Sequence, residues 1–314
     1  GSEMCIRDSQ STYLLVYAPG RNTALRATLA DQLHRKFRLA DTLGSALTEG
    51  VDGVLLVSED VECMSTALMC FAKALQDGAD YAVCNAVFGF GGATALYQSR
   101  AHLAQNRCAL VSRPLLERCR AAAKDPENVT ELLALAAQFC AHPARIPQAL
   151  LHYERDICAE DAFSATGKRA FLMSHVLDMT GAPIVLVSAV PVLRSMGYEV
   201  VVLGPSDGGA LQLFVDAGAA VITRPGIRAT PNLWGLALCT DLVLVNTVVM
   251  ARTVRALSGT AVPVLWWLHD AFAGYPHIAH QIPTKLAENV RLYSVGHHAA
   301  NAMHAVRPDF QIGQ

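Results

Sequence analysis

The chain lacks a charge excess of either sign. Its 25 Lys and Arg stand against 27 Asp and Glu, a formal net charge of −2. That balance removes the electrostatic footprint that nucleic-acid binding needs. It also lacks a long hydrophobic run: the apolar stretches 183–193 and 242–250 fall short of the roughly 20 residues of a membrane-spanning helix. No apolar core follows the opening GSEMCIRDS, so no secretory signal is read there. Residues 1–12 are expected to be a leader foreign to the fold. The nine cysteines are an odd number and form no CxxC pair, which argues for reduced, mostly buried thiols. Neither GxGxxG nor GxxxxGK[ST] occurs, so the dinucleotide and P-loop fingerprints are absent. Charged residues make up only 17% against 52% hydrophobic, which excludes disorder and provides for large cores. A length of 314 residues suggests two domains.

The most informative stretch is 171–205, FLMSHVLDMTGAPIVLVSAVPVLRSMGYEVVVLGP. An apolar strand ends at Ser174-His175, and a loop runs to Thr180-Gly181. A helix is expected from about 183 to 196, with Pro183 in its first turn and Gly197 at its C′ position. The β-branched run 198–203 follows and closes in GPSDGG. This is a βαβ unit of an open parallel sheet. A helix N-terminus facing a glycine loop can hold an anion, because unpaired N–H groups and the helix dipole point there. A lone glycine does not by itself name a ligand. Apolar runs follow at 241–247 (DLVLVNT) and 262–270 (VPVLWWLHD), and a strand–helix pair is expected at 291–305.

The first half is also an α/β pattern. Strands are expected at 13–17, 53–57, 80–87, 108–112 and 150–153. Helices are expected at 22–36, where Leu25, Leu29 and Leu33 form one stripe, and at 66–75, 114–123 and 127–139. Strand 53–57 runs into Ser58-Glu59-Asp60-Val61-Glu62. Asp60 and Glu62 alternate, so on an extended strand they share a face. A nucleotide diphosphate cannot be bound by carboxylates directly; paired acids would hold a divalent cation that bridges it. The bland alternative is a solvated acidic turn. The segment 157–168 is small, polar and proline-free and reads as a brief flexible linker, with the boundary near Ala165.

The motifs TGAPIVL, AVPVLRSMGYEVVVLGPSDGG, DLVLVNT and WWLHD together resemble the N-terminal Rossmann-like domain of GT-B glycosyltransferases, a large retaining, family-4-like group. GVLLVSEDVE, CALVSRPLL and RIPQALLHYER resemble part of an inverting, family-2-like GT-A domain, with its opening strand expected upstream of Tyr13. The fold these resemblances imply is α/β: two Rossmann-like domains, an incomplete GT-A-like domain over 13–165 and a GT-B doubly wound parallel sheet over 166–314. They imply a nucleotide-diphosphate sugar as donor substrate, met by His175, Thr180, Gly181 and Asp270, with His269 in the catalytic role. They place Mn2+ or Mg2+ on Asp60 and Glu62 and the acceptor-activating base at Glu127. The sequence departs from the GT-A pattern in two places: Ser58 stands where an acid is expected, and Asn128, which cannot act as a base, follows Glu127.

The expected function is transfer of a sugar to a glycan or lipid-linked acceptor, in the cytoplasm, with peripheral contact at the inner membrane face. No basic amphipathic helix marks such contact. The donor-binding domain of the GT-B family would follow Gln314, so the chain reads as a fusion fragment and is expected to be inactive alone. A non-catalytic glycan- or nucleotide-binding scaffold is the alternative. A nucleotide-dependent oxidoreductase is disfavoured, because strand 198–203 ends in Gly-Pro and not in a ribose-binding acid. Arg224 and Arg228, beside Pro225-Gly226, are phosphate candidates of lower rank. His297, His298 and His304 read as an exposed helix start, with no acid or cysteine spaced to complete a zinc site.

Overall fold

A computed structural model describes residues 12–44, 47, 50–89, 94–97, 103, 106–164, 167–227 and 234–314. Residues 1–11 of the expected leader, residues 90–92 of the FGFGG segment, Ala165 and Arg228 lie outside the described residues. The chain divides into two compact units, Gly1–Ile157 and Cys158–Gln314.

In the first unit, β1 (Leu14–Tyr17) pairs in parallel with β2 (Phe37–Ala40) and with β3 (Gly53–Val57). Between β1 and β2 lies helix α1 (Thr23–Leu29). The expected helix over 22–36 is thus only half as long. Leu33 is 46% exposed and its backbone N–H donates to Ser65 O. The buried Gln32 amide serves the Cys63 and Met64 carbonyls, and its Oε1 accepts from Leu68 N–H. A helical stripe cannot foresee this, since those partners lie more than thirty residues downstream. After β3 come β4 (Glu62–Cys63), α2 (Ala67–Gln76), β5 (Tyr81–Phe88) and β6 (Thr94–Tyr97). Strand β7 (Cys108–Ser112) enters antiparallel between β3 and β5. Then follow α3 (Arg113–Ala122), α4 (Val129–Phe139) and β8 (Pro143–Tyr153), which pairs with β5 in parallel and with β4 in antiparallel. One sheet face buries Leu15, Val54, Leu56 and Val83 with Leu115 and Leu132 of α3 and α4. Burying such side chains supplies about 1.5–3 kcal/mol each, the driving force that holds these layers together.

The second unit begins with α5 (Ala159–Ala162), inside the segment expected as a flexible linker. Ala162 and Phe163 are buried, and the Phe163 ring meets Phe171 edge-on at 6.5 Å. Small polar composition did not betray that anchor. Strand β9 (Lys168–Met173) leads to α6 (Gly181–Ser195), β10 (Tyr198–Gly204), α7 (Leu211–Asp216) and β11 (Ala220–Thr223). Then come α8 (Trp234–Leu238), β12 (Leu242–Asn246), α9 (Ala251–Leu257), β13 (Val264–Leu268), α10 (Tyr275–Ile278), β14 (Val290–Ser294), α11 (His297–His304) and β15 (Ile312–Gly313). Within this unit the order is β15-β14-β13-β12-β9-β10-β11, with every neighbouring pair parallel. The chain winds outward from β9 through β11, then returns to β9's other edge as β12. That reversal is a doubly wound sheet with its switch point between β9 and β12, and it opens a crevice at the carboxyl ends of those strands. Residues Ala170–Met173 and Val200–Leu203 are fully buried, as strands covered on both faces must be. Gly197 ends α6 with φ +84°, as its C′ position requires.

Candidate functional site

In the first unit, the two acids expected to hold a metal have other partners. The Asp60 carboxylate receives the backbone N–H groups of Thr23 and Ala24 at 3.0 and 3.1 Å on Oδ2, and of Leu25 at 3.0 Å on Oδ1. The Thr23 hydroxyl adds another bond at 3.0 Å. Asp60 therefore caps α1 from a distant loop, satisfying N–H groups that a helix start leaves orphaned. Burial pushes its pKa up, but the donors at Leu25, Ala24 and Thr23 outweigh it and hold the group below 3.8. Glu62 instead meets His152 Nδ1 at 2.7 Å, while His152 Nε2 faces Gly89 O at 3.0 Å. Glu59 is bound by Arg155 at 2.6 Å. The cavity here is about 260 Å3, below the roughly 300–1,000 Å3 of small-molecule sites. Among the described residues no three His, Cys, Asp or Glu side chains gather to hold a cation. The residues present do not fit the bridging Mn2+ or Mg2+ that the GT-A resemblance implied.

Glu127, expected as the acceptor base, ties three segments together. Its Oε2 accepts from Leu43 N–H at 2.6 Å and from the Tyr17 hydroxyl at 3.2 Å, and Arg120 stands 3.5 Å from Oε1. Burial, then the Glu127 charge, pushes the Tyr17 pKa up to about 12. Asn128 caps α4 by accepting from Glu131 N–H at 3.0 Å. Ser58 donates to Arg107 O at 3.0 Å.

The second unit gathers its expected residues at the switch point. His175 follows β9, Thr180 and Gly181 open α6, and His269 and Asp270 follow β13. All stand at carboxyl ends of parallel strands or at the helix start fed by one. His269 and His175 are electrostatic neighbours: burial, then the charge on His175, lowers the His269 pKa to about 4. At neutral pH its imidazole is uncharged. Its Nε2 is buried without a hydrogen-bond partner, and its ring lies 4.9 Å from that of Trp267. Asp270 accepts from Val248 N–H at 2.6 Å. Burial raises its pKa above 3.8, and the Val248 bond and the His175 charge draw it back. Thr180 and Gly181 are exposed.

Three residues of this crevice were not singled out from the sequence. Thr247, at the tip of β12, has φ +71° and ψ +160°, the only positive φ among the described non-glycine residues. Such a conformation costs about 1–3 kcal/mol in a threonine. Its hydroxyl lies 3.4 Å from His175 Nδ1. Asn246, fully buried, donates from Nδ2 to Ala182 O in the first turn of α6, and its Oδ1 has no partner. Tyr275 is fully buried with an unpartnered hydroxyl, and burial and then the Asp270 charge push its pKa up. No local motif marks any of them; their roles come from strand register. Of the two tryptophans, Trp266 is core and Trp267 is the one beside His269. Arg224 sits partly buried after β11, its backbone N–H bonded to Gly204 O. His297 pairs with Gln314 and His304 with Phe310 O.

Among the described residues no helix is long and apolar enough to cross a membrane. No curated protein and no solved structure matches the chain. Residues 166–303, which span this parallel sheet from before β9 into α11, match the model of the family described as glycosyl-transferase family 4, and this supports a glycosyltransferase domain of the GT-B kind in the second unit.

Proposed function

We propose that the second unit binds sugar in the transfer of a glycosyl group from a nucleotide-diphosphate donor to a glycan or lipid-linked acceptor. The observation that carries this reading is the meeting of His175, His269 and Asp270 at the switch point of a sheet that matches a glycosyltransferase family. Ligands of doubly wound sheets lie in that crevice. The uncharged, half-buried His269 ring suits a sugar hydroxyl and not an anion. The start of α6 brings the positive end of a helix dipole to the same edge, where charge on a leaving diphosphate would be stabilised. Met179 before Thr180 and Phe272 after Asp270 are 63% and 57% exposed, which supports an acceptor with an apolar part. Peripheral membrane contact in the cytoplasm belongs to this reading.

For the first unit a non-catalytic binding or scaffold role is favoured. The observation behind it is Asp60, whose oxygens are committed to α1.

The test is protein-observed NMR with UDP-, GDP- and ADP-sugars and an oligosaccharide acceptor. Shifts are expected at His175, Thr247 and His269. His269→Gln should weaken binding about tenfold, the worth of one hydrogen bond of about 1.4 kcal/mol. Because the His269 pKa lies near 4, binding should hold from neutral pH downward and fail only as the ring protonates towards that value. Absence of any shift in these residues with every ligand would refute the reading.

A further inference from the structure

We infer that Thr247 is a positioning residue of this crevice: its left-handed backbone turns the Val248 N–H onto Asp270 and sets its own hydroxyl against His175. The inference rests on the glycosyl-transfer reading and names a further residue of the same site. At φ +71° and ψ +160° Thr247 occupies a region that is essentially reserved for glycine. Two bonds fix its own backbone there. Its N–H donates to Trp267 O at 2.8 Å, continuing the ladder of β12 and β13. Its carbonyl accepts the indole N–H of the fully buried Trp266 at 2.8 Å.

That carbonyl and the Val248 N–H belong to one planar peptide, so they cannot turn independently. Rotating residue 247 into an ordinary conformation would swing both away. The Trp266 indole would then be buried without an acceptor, and Asp270 would lose its 2.6 Å donor. The same rotation would carry the Thr247 hydroxyl off His175 Nδ1. Residue 247 thus links the core tryptophan to Asp270 through one peptide plane and to His175 through its hydroxyl. Trp266 holds the strained turn, and the strained turn aims Asp270 and His175.

The test follows the Val248 amide by 1H–15N NMR over roughly pH 3 to 8, a range that spans carboxylate titration. In the wild-type chain its proton should lie far downfield and follow the ionisation of Asp270. Trp266→Phe removes the anchor and should abolish that titration. Adding Thr247→Gly to Trp266→Phe should restore it, since glycine holds the turn without help. Thr247→Ser should keep the His175 ring nitrogen signals of the wild type, whereas Thr247→Val should move them. The inference is overturned if Val248 titrates unchanged in Trp266→Phe, if glycine brings no recovery, or if valine leaves the His175 ring unaltered. Should Trp266→Phe not fold, the serine and valine pair decides alone. None of these measurements needs a sugar, so their failure is distinct from a failure of ligand binding.

Discussion

Replacing Asp60 by Ala separates the capping role from the expected metal role. The carboxylate binds three backbone N–H groups and a hydroxyl at the start of α1, at 3.0–3.1 Å. Loss of a side-chain cap costs about 1 kcal/mol, with a range of about 0.5–2. Loss of a negative charge at a helix N-terminus adds about 0.3–1 kcal/mol. Asp60→Ala should therefore destabilise by about 1–2 kcal/mol. Hydrogen exchange of the α1 amides should accelerate about 5- to 30-fold, the ratio such an energy sets. Asp60→Asn keeps one of the two acceptor oxygens and should lose the charge and the bonds of the other oxygen, less than the loss in Asp60→Ala. The group's pKa is held below 3.8, so its stabilisation is complete above that value and lost as pH falls through the lower folded value. At pH 7 the full effect should be seen. Millimolar Mn2+ should leave the α1 exchange rates of all three proteins unchanged. The capping account fails if Asn proves as damaging as Ala, or if Mn2+ protects α1 in the wild type and not in Asp60→Asn.

Both ring nitrogens of His152 face acceptors, Glu62 and Gly89 O, so the protonated ring satisfies both at once. The Gly89 carbonyl, then Glu62, raises its pKa above 6.5; the stabilisation is complete below 6.5 and fades as pH rises through the folded value. Glu62→Gln should move the His152 titration midpoint, read by NMR, down towards 6.5, at a stability cost of about 0.2–1 kcal/mol at pH 6 for this solvent-accessible, half-buried pair. An unmoved midpoint would show that Glu62 does not act on the ring. In the second unit, a Cβ at Gly208 would fall 2.4 Å from the Leu177 carbonyl oxygen, and that oxygen already accepts from Ala210 N–H. Gly208→Ala should cost about 1–3 kcal/mol by overpacking, lowering Tm by roughly 2–4 °C per kcal/mol. Gly209→Ala meets only the flexible side chain of Met179 and should be nearly neutral. Equal melting temperatures for the two variants would refute that contrast.

The parallel character of the second unit was legible because β-branched and apolar runs buried on both faces leave a continuous signature, seen at 171–173 and 198–203. Gly181 and Gly197 bracket α6 nearly where the turn chemistry put it. Strand β2 and the early end of α1 were not legible, because Gln32 and Leu33 answer to residues 63–68 and not to their own neighbours. The acids at 60 and 62 had the spacing of a cation site, yet spacing says nothing of what approaches from elsewhere. Asp60 is met by a helix start 35–37 residues upstream and Glu62 by a histidine 90 residues downstream.

The sequence by itself determined the class of fold and the places where strands end in His175 and His269-Asp270, because period, apolar content and turn residues are local properties. Only the tertiary structure decided which strand tips meet, which carboxylates were already spoken for, and that Thr247 must adopt a glycine's conformation. Those outcomes depend on sheet order and on hydrogen bonds between segments far apart in the chain. A polar group is committed by the partner that reaches it in space, and no window of sequence contains that partner.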